Sequence, residues 1–120
     1  MMYYYVMELL FYETDAGRMP VMSNLESLSK PDKAKAVAHL NLLVNHGSSL
    51  REPHVKHLND KLLELRFKIS AGQYRVFFFF QIGNKAVLVH SMLKKSQTTP
   101  QADLDLALKR MRDWLKRNGG

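Results

Sequence analysis

Residues 62–100 constrain the fold of this chain more than any other part of its sequence. They open with strict alternation, in which every second residue is apolar, namely Leu63, Leu65, Phe67 and Ile69. A period of two is the pattern of a β-strand with one buried face. Two more apolar segments follow after the short links S-A-G-Q and I-G-N. The sequence therefore predicts an antiparallel meander over residues 61–69, 73–81 and 85–92.

The remaining segments complete a single predicted domain over residues 1–120. Residues 6–12 predict a first strand, residues 20–28 a short helix and residues 55–59 a short edge strand. The predicted fold is α+β. It has an N-terminal strand and two helices, then a curved antiparallel sheet of three to four strands, and finally a C-terminal helix.

Two helix starts can be read from the sequence. Ser29 stands three positions before Asp32, which resembles a capping box with Asp in place of Glu or Gln. The helix that follows has apolar or small residues at helical spacing, namely Ala34, Val37, Leu40, Asn41 and Val44. Thr99 is the predicted cap of the last helix, with Pro100 at its first position.

Charge and composition narrow the class of partner. The 120 residues carry a net charge of +7 and have a pI near 9.8, which favours polyanions such as nucleic acids. The chain has no cysteine, so disulfide and thiolate chemistry are excluded, in agreement with a reducing cytoplasm. No apolar stretch reaches the length of a membrane span, and the N-terminus does not resemble a signal peptide.

The polar positions of the predicted sheet are the candidate site. Arg66 and Lys68 share one face of their strand, and Arg75 begins the neighbouring strand close to them. His90 and Lys94 share a face near the end of the last strand. Lys95 and Gln97 follow before the last helix. An ordinary solvated strand face remains the alternative.

These residue types suit cleavage of RNA without a metal. That reaction needs a base for the 2′-hydroxyl, cations for the phosphate and an acid for the leaving 5′-oxygen. Arginine binds two phosphate oxygens and stays protonated. A lysine among other cations can have a lowered pKa and become a base, and histidine titrates in the working range.

Other constellations are weaker. His39 and His46, and His54 and His57, could supply metal ligands, but surface or core histidines are favoured because no ligand motif surrounds them. The run Phe77–Phe80 is favoured as core over a base-stacking platform. The basic last helix, which carries Lys109 and Arg112, is either a phosphate contact or a solvated face. No cofactor is expected.

Several motifs, in this order and spacing, resemble the phage-derived HigB-like branch of the RelE/ParE toxin superfamily. They are F-Y-E-T-D-A-G-R-M-P-V, L-E-S-L, E-P-H-V-K-H-L, L-x-E-L-R, G-Q-Y-R-V-F-F-F-F, V-L-V-H, K-K-S-Q-T-T-P and A-L-K-R. The resemblance covers most of residues 7–112. It implies that the chain is the toxin of a type II toxin–antitoxin pair and that it cuts messenger RNA on the ribosome without a metal. It also implies silencing by a cognate antitoxin, expected to be a small helix-turn-helix protein.

The resemblance also implies roles for the basic residues. Arg66 and Arg75 would hold the scissile phosphate, Lys94 or Lys95 would neutralise the developing charge, and His90 or a lysine would move protons. Lys68, Gln97, Lys109 and Arg112 are the expected RNA contacts.

Two rival functions stay open. The first is a gyrase-directed ParE-like toxin without ribonuclease activity. The second is a plain nucleic-acid-binding module that uses the last helix.

Overall fold

The structure is a computed structural model, and it describes residues 7–94 and 99–119. Its elements, in chain order, are β1 (Glu8–Phe11), α1 (Pro20–Glu26), α2 (Lys30–His46), a 3₁₀ turn (Gly47–Ser49), β2 (Val55–Asn59), β3 (Leu62–Ile69), β4 (Gly72–Gln81), β5 (Lys85–Lys94) and α3 (Gln101–Asn118). The predicted α+β order is confirmed. Among the described helices, none combines the length and the apolar character that crossing a bilayer requires.

All the described strands belong to one sheet, in the order β1-β5-β4-β3-β2. Strands β3 to β5 form the predicted antiparallel meander, and the predicted edge strand β2 pairs antiparallel with β3. The sheet has five strands, more than the three to four predicted, because β1 adds to the edge of β5 in parallel. Alternating polarity and turn length predict which strands pair in a hairpin. They do not predict a parallel neighbour that is far away in sequence.

The sheet is covered on both faces. Helices α1 and α2 pack on one face, over a cluster that includes Leu65, Val76 and Phe78. Helix α3 packs on the other, over a cluster that includes Phe77 and Phe79. Phe77, Phe78 and Phe79 are fully buried, so the prediction that this run is core is confirmed. A strand buried on both faces does not need alternating polarity.

Helix α2 turns a different side to the sheet from the one predicted. Its buried residues are Asp32, Ala36, Leu40 and Leu43, whereas Val37 is 51% exposed. The cause is the carboxylate of Asp32, which accepts hydrogen bonds from the backbone nitrogen of Ser70 at 2.9 Å and from its hydroxyl at 2.6 Å. This polar contact with the β3–β4 turn sets the rotation of the helix, and a purely apolar stripe could not reveal it.

The two predicted helix starts fare differently. Ser29 is the N-cap of α2, and its hydroxyl accepts from the Asp32 nitrogen at 3.3 Å. Thr99 was the wrong cap for α3, because the helix begins at Gln101 and Pro100 occupies the N-cap without a side-chain hydrogen bond. The Thr99 hydroxyl is engaged elsewhere, since it donates to Glu64 Oε2 at 3.1 Å.

We expect Phe78→Ala to lower the free energy of unfolding by about 3–5 kcal/mol, because it removes a fully buried ring from the cluster beneath α1 and α2. Urea denaturation measures this. The matched control is Ile82→Ala in the β4–β5 turn, where the side chain is 94% exposed, and a change within about 0.5 kcal/mol is expected. Equal effects at the two positions would contradict the described burial.

Candidate active site

The register of the sheet places three predicted cations side by side. Arg66 of β3 lies directly opposite Arg75 of β4, and Gln73, two residues before Arg75, lies opposite Lys94 of β5. Residues that alternate along a strand share a face, so Arg66, Arg75 and Lys94 occupy the face that α3 partly covers. We call this surface the basic face.

A buried ion pair lies at the centre of the basic face. Arg75 Nη1 donates to Glu64 Oε1 at 2.8 Å, while the side chains are 2% and 0% exposed. Thr99 accepts from the same guanidinium nitrogen at 3.2 Å, and Gln73 Oε1 accepts from Arg75 Nη2 at 2.8 Å. The guanidinium therefore joins β3, β4 and the segment that leads into α3. A charge-assisted hydrogen bond such as the one to Glu64 is roughly twice as strong as a bond between neutral groups.

Arg66 lies at the edge of this pair. Its Nε is 3.8 Å from Glu64 Oε1, and its side chain is 21% exposed. An arginine whose side chain is partly exposed, with one carboxylate nearby, can still bind a second anion. Arg66 is therefore better placed than Arg75 to contact a phosphate directly in this conformation.

Lys94 ends β5 beside the ion pair and is 3% exposed. Its ammonium nitrogen has no hydrogen-bond partner within the described residues. Burial lowers the pKa of Lys94, and the positive charges of Arg75 and Lys56 lower it further, against Glu64 and Asp103, which raise it. A buried amine held among cations is the environment that shifts lysine toward its neutral form.

His90 is also on the basic face, in contact with α3. Its Nε2 is 2.7 Å from Asp103 Oδ1, and its ring stacks on Phe77 with centroids 5.4 Å apart. Arg110 Nη1 lies 3.4 Å from Nδ1. Burial lowers the pKa of His90, and Arg110 adds to that effect, while the hydrogen bond and charge of Asp103 raise it.

The site can be compared with known proteins. Residues 23–112 match the model of the family described as phage derived protein Gp49-like (DUF891). The chain belongs to the Gp49-like family. It is 27% identical over 109 residues, which are 91% of this chain and 86% of theirs, to two relatives named "Probable endoribonuclease HigB1" from Mycobacterium tuberculosis, strains CDC 1551 / Oshkosh and ATCC 25618 / H37Rv. The resemblance to phage-derived HigB-like proteins is thereby confirmed.

The other predicted site residues that the structure describes lie at the surface of this Gp49-like protein, and Lys68 is on the basic face, opposite Gln73. Lys68 is exposed on β3, and Lys109 and Arg112 are exposed on α3. Lys95 and Gln97 lie outside the described residues. Within residues 7–94 and 99–119, no three histidine, aspartate or glutamate side chains are grouped so that they could hold a metal ion.

Sequence reasoning missed the residues that organise the Gp49-like site. Glu64 shares the face of Arg66 by alternation, but it was not among the predicted site residues. Asp103 and Arg110 are seven positions apart, and residues at that spacing share a helix face. Their link to His90 depends on how α3 crosses the sheet, which the sequence does not show. Lys56 lies opposite Glu64 on the edge strand β2.

A cavity of about 500 Å³ lies at the other end of the sheet, near the β4–β5 turn and the end of α3. Leu10, Phe80, Ile82, Trp114 and Lys85 contribute to its lining. None of the predicted site residues that the structure describes lines this cavity. The basic face of the Gp49-like protein is thus separate from this cavity.

We expect Arg75→Met to lower the free energy of unfolding by about 3–5 kcal/mol, because it leaves the buried Glu64 carboxylate without its nearest cation. Urea denaturation measures the loss. The double variant Glu64→Gln/Arg75→Met should recover part of it, since no charge is then left uncompensated.

The control is Lys68→Met, which removes an exposed cation from the same face of the sheet. The free energy of unfolding should change by no more than about 0.5 kcal/mol. An Arg75→Met protein as stable as the Lys68→Met protein would show that the ion pair does not organise the fold.

Proposed function

We propose that this protein is the toxin of a type II toxin–antitoxin pair and a metal-independent endoribonuclease that cuts messenger RNA on the ribosome, in the cytoplasm. One observation carries the proposal: Arg66, Arg75 and Lys94 share a sheet face around one buried carboxylate. The relatives named as probable endoribonucleases support it. The whole chain would act as a single toxin domain, with a small helix-turn-helix antitoxin as its partner.

The proposed reaction is an in-line transesterification. The 2′-oxygen of one nucleotide forms a bond to the adjacent phosphorus, and the bond from phosphorus to the 5′-oxygen of the next nucleotide breaks. The 2′-hydroxyl proton passes to a base, and the leaving 5′-oxygen receives a proton from an acid. The two non-bridging oxygens gain negative charge in the transition state, and this is the charge that fixed cations stabilise.

Arg66 is proposed to hold the scissile phosphate, because its side chain is partly exposed whereas that of Arg75 is buried. Arg75 has both terminal nitrogens engaged by Glu64, Thr99 and Gln73. We propose that Arg75 supports Arg66 through their shared neighbour Glu64. A direct contact between Arg75 and the phosphate stays a prediction, and it would require these hydrogen bonds to open.

Lys94 is proposed to stabilise the developing charge. Its ammonium group has no hydrogen-bond partner among the described residues, and it lies near both Arg75 and Glu64. A lowered pKa also makes Lys94 a candidate base. Lys95 stays a predicted alternative for either role.

A gyrase-directed toxin and a plain binding module remain the competing functions. Neither requires cations grouped around a buried carboxylate on the sheet. The binding module draws on the exposed Lys109 and Arg112 of α3. Incubating the purified protein with RNA, with and without ribosomes, and with gyrase and DNA, separates the three functions by their products.

We expect cleavage to persist in excess chelator and to leave a 2′,3′-cyclic phosphate, or its opened form, and a 5′-hydroxyl, because the 2′-oxygen is the proposed nucleophile. Mass spectrometry of a short RNA product identifies the ends. An RNA with a 2′-deoxy sugar at the cut position should resist. If ribosome-free RNA is cut only when magnesium is restored, the proposed chemistry is wrong.

We expect Arg66→Ala to lower the cleavage rate by about 100-fold or more, since it removes a fixed cation from a phosphate that gains charge. Lys109→Ala should only weaken binding mildly, and the effect should shrink as salt is raised. Both are measured as cleavage by folded, purified variants and as growth arrest on induction. If Lys109→Ala abolishes cleavage while Arg66→Ala stays fully active, the site lies on α3 and not on the sheet.

A further inference from the structure

The His90 ring is held on three sides. Asp103 Oδ1 lies 2.7 Å from Nε2, and Arg110 Nη1 lies 3.4 Å from Nδ1. Phe77 stacks on the ring with an interplanar angle of 17°. The side chain is only 12% exposed. Both ring nitrogens are therefore engaged by α3, and little of the ring is open to a substrate.

The two partners dictate where the proton of the neutral ring sits. A guanidinium has five N–H donors and no acceptor, so a nitrogen that faces Arg110 must be unprotonated to accept from it. A carboxylate only accepts, so the nitrogen that faces Asp103 must carry the hydrogen. The two contacts thus favour the neutral tautomer of His90 with its hydrogen on Nε2.

Protonating Nδ1 would direct an N–H at the guanidinium, and the two positive groups would repel each other. Arg110 is itself fixed, because the same Nη1 donates to the carbonyl oxygen of Val89 at 2.9 Å. An acid that releases a proton to RNA needs a protonated nitrogen that faces the leaving oxygen. Neither nitrogen of His90 meets that condition in this arrangement.

We propose that His90 is a positioning residue, kept as the neutral Nε2–H tautomer by Asp103 and Arg110, and that it fixes the start of α3 over the basic face without transferring a proton to RNA. We call these residues the His90 network. The proposal rests on the proposed function, because the surface that the network shapes is the proposed ribonuclease site.

The His90 network positions the start of α3. Asp103 lies in the first turn of α3, four positions after Thr99, whose hydroxyl donates to Glu64. The two contacts attach the start of the helix to β5 and to β3 respectively. A shift of α3 would therefore displace the buried ion pair that supports Arg66.

The decisive variant is His90→Gln. A glutamine amide reproduces the pattern of the neutral ring, because its nitrogen can donate to Asp103 and its oxygen can accept from Arg110. We expect cleavage within about threefold of wild type. His90→Leu keeps the bulk and removes both hydrogen bonds, and a loss on the order of 10- to 100-fold is expected from a misplaced site. A loss of about 10²–10⁴-fold in His90→Gln would overturn the proposal in favour of proton transfer.

Asp103 supplies an independent pair of variants. Asp103→Asn keeps an oxygen that accepts from Nε2–H and should stay within about threefold of wild type, whereas Asp103→Ala should lose activity as His90→Leu does. If His90 instead transferred a proton, Asp103→Asn would be severe, as in catalytic triads, where the equivalent change costs about 10⁴-fold because it leaves the histidine in the wrong tautomer. The matched control is Asp105→Asn, an exposed aspartate on the same helix, which should be unchanged.

Nitrogen NMR of His90 tests the network without any cleavage assay. We expect an Nε2–H tautomer at neutral pH and a pKa below the ordinary 6.5, mainly because the ring is buried. A ring protonated on Nδ1, or an imidazolium at neutral pH, would refute the network. A protein that cuts no RNA but shows the expected tautomer would contradict the proposed function and leave the network standing.

The lowered pKa of His90 predicts the direction in which the stability of the protein changes with pH. Since the pKa of His90 is lowered in the folded protein, the unfolded chain binds more protons below pH 6.5. The contribution of His90 is therefore complete above that pH and is lost as the pH falls. The charged groups that face the ring are Asp103 and Arg110, while β4 presents the uncharged Phe77. Between pH 7 and about pH 5, wild type should lose more stability than His90→Gln, and equal losses would contradict the network.

Discussion

The rest of the site depends on one buried carboxylate. Glu64 is fully inaccessible, and a charge in that position is tolerated only when it is paired and hydrogen-bonded. Arg75 and Thr99 satisfy it from β4 and from the segment before α3, and Arg66 lies near it on β3. The carboxylate thus holds like charges together that would otherwise repel. A cluster of cations without it would spread apart, and a phosphate site needs them close.

A β-bulge decides which side chains join that cluster. Phe77 pairs with His90, but Phe78 pairs with Leu88, so β5 carries an extra residue at Val89. Before this point Val87 and Val89 pack beneath α3 while Leu88 packs beneath the other helices. After it, His90 contacts α3. A one-residue shift exchanges the faces of a strand. Without the bulge, His90 and Lys94 would be directed toward α1 and α2.

Sequence patterns were most reliable where one physical cause acts alone. The alternation of β3 predicted a shared face for Arg66 and its neighbours because the apolar residues Leu65, Phe67 and Ile69 all pack beneath α1 and α2. The same reasoning failed for α2, where a polar anchor from Asp32 to Ser70 outweighs the apolar stripe. It also failed for Thr99, because a hydroxyl that suits a helix cap was recruited by a buried carboxylate. Contacts between polar groups that are distant in sequence leave no periodic signal.

His90 and Lys94 both lie on the basic face, but their electrostatic environments differ. His90 is surrounded so that its neutral form is favoured, and both of its nitrogens are used within the protein. Lys94 has a lowered pKa for a different reason, since burial and nearby cations act on an amine without a described hydrogen-bond partner. A phosphate that arrives beside Lys94 would reverse that shift, because a negative charge favours the ammonium form. In the proposed reaction, bound RNA would thereby favour the charged form of Lys94, and in the proposed network His90 would keep its position.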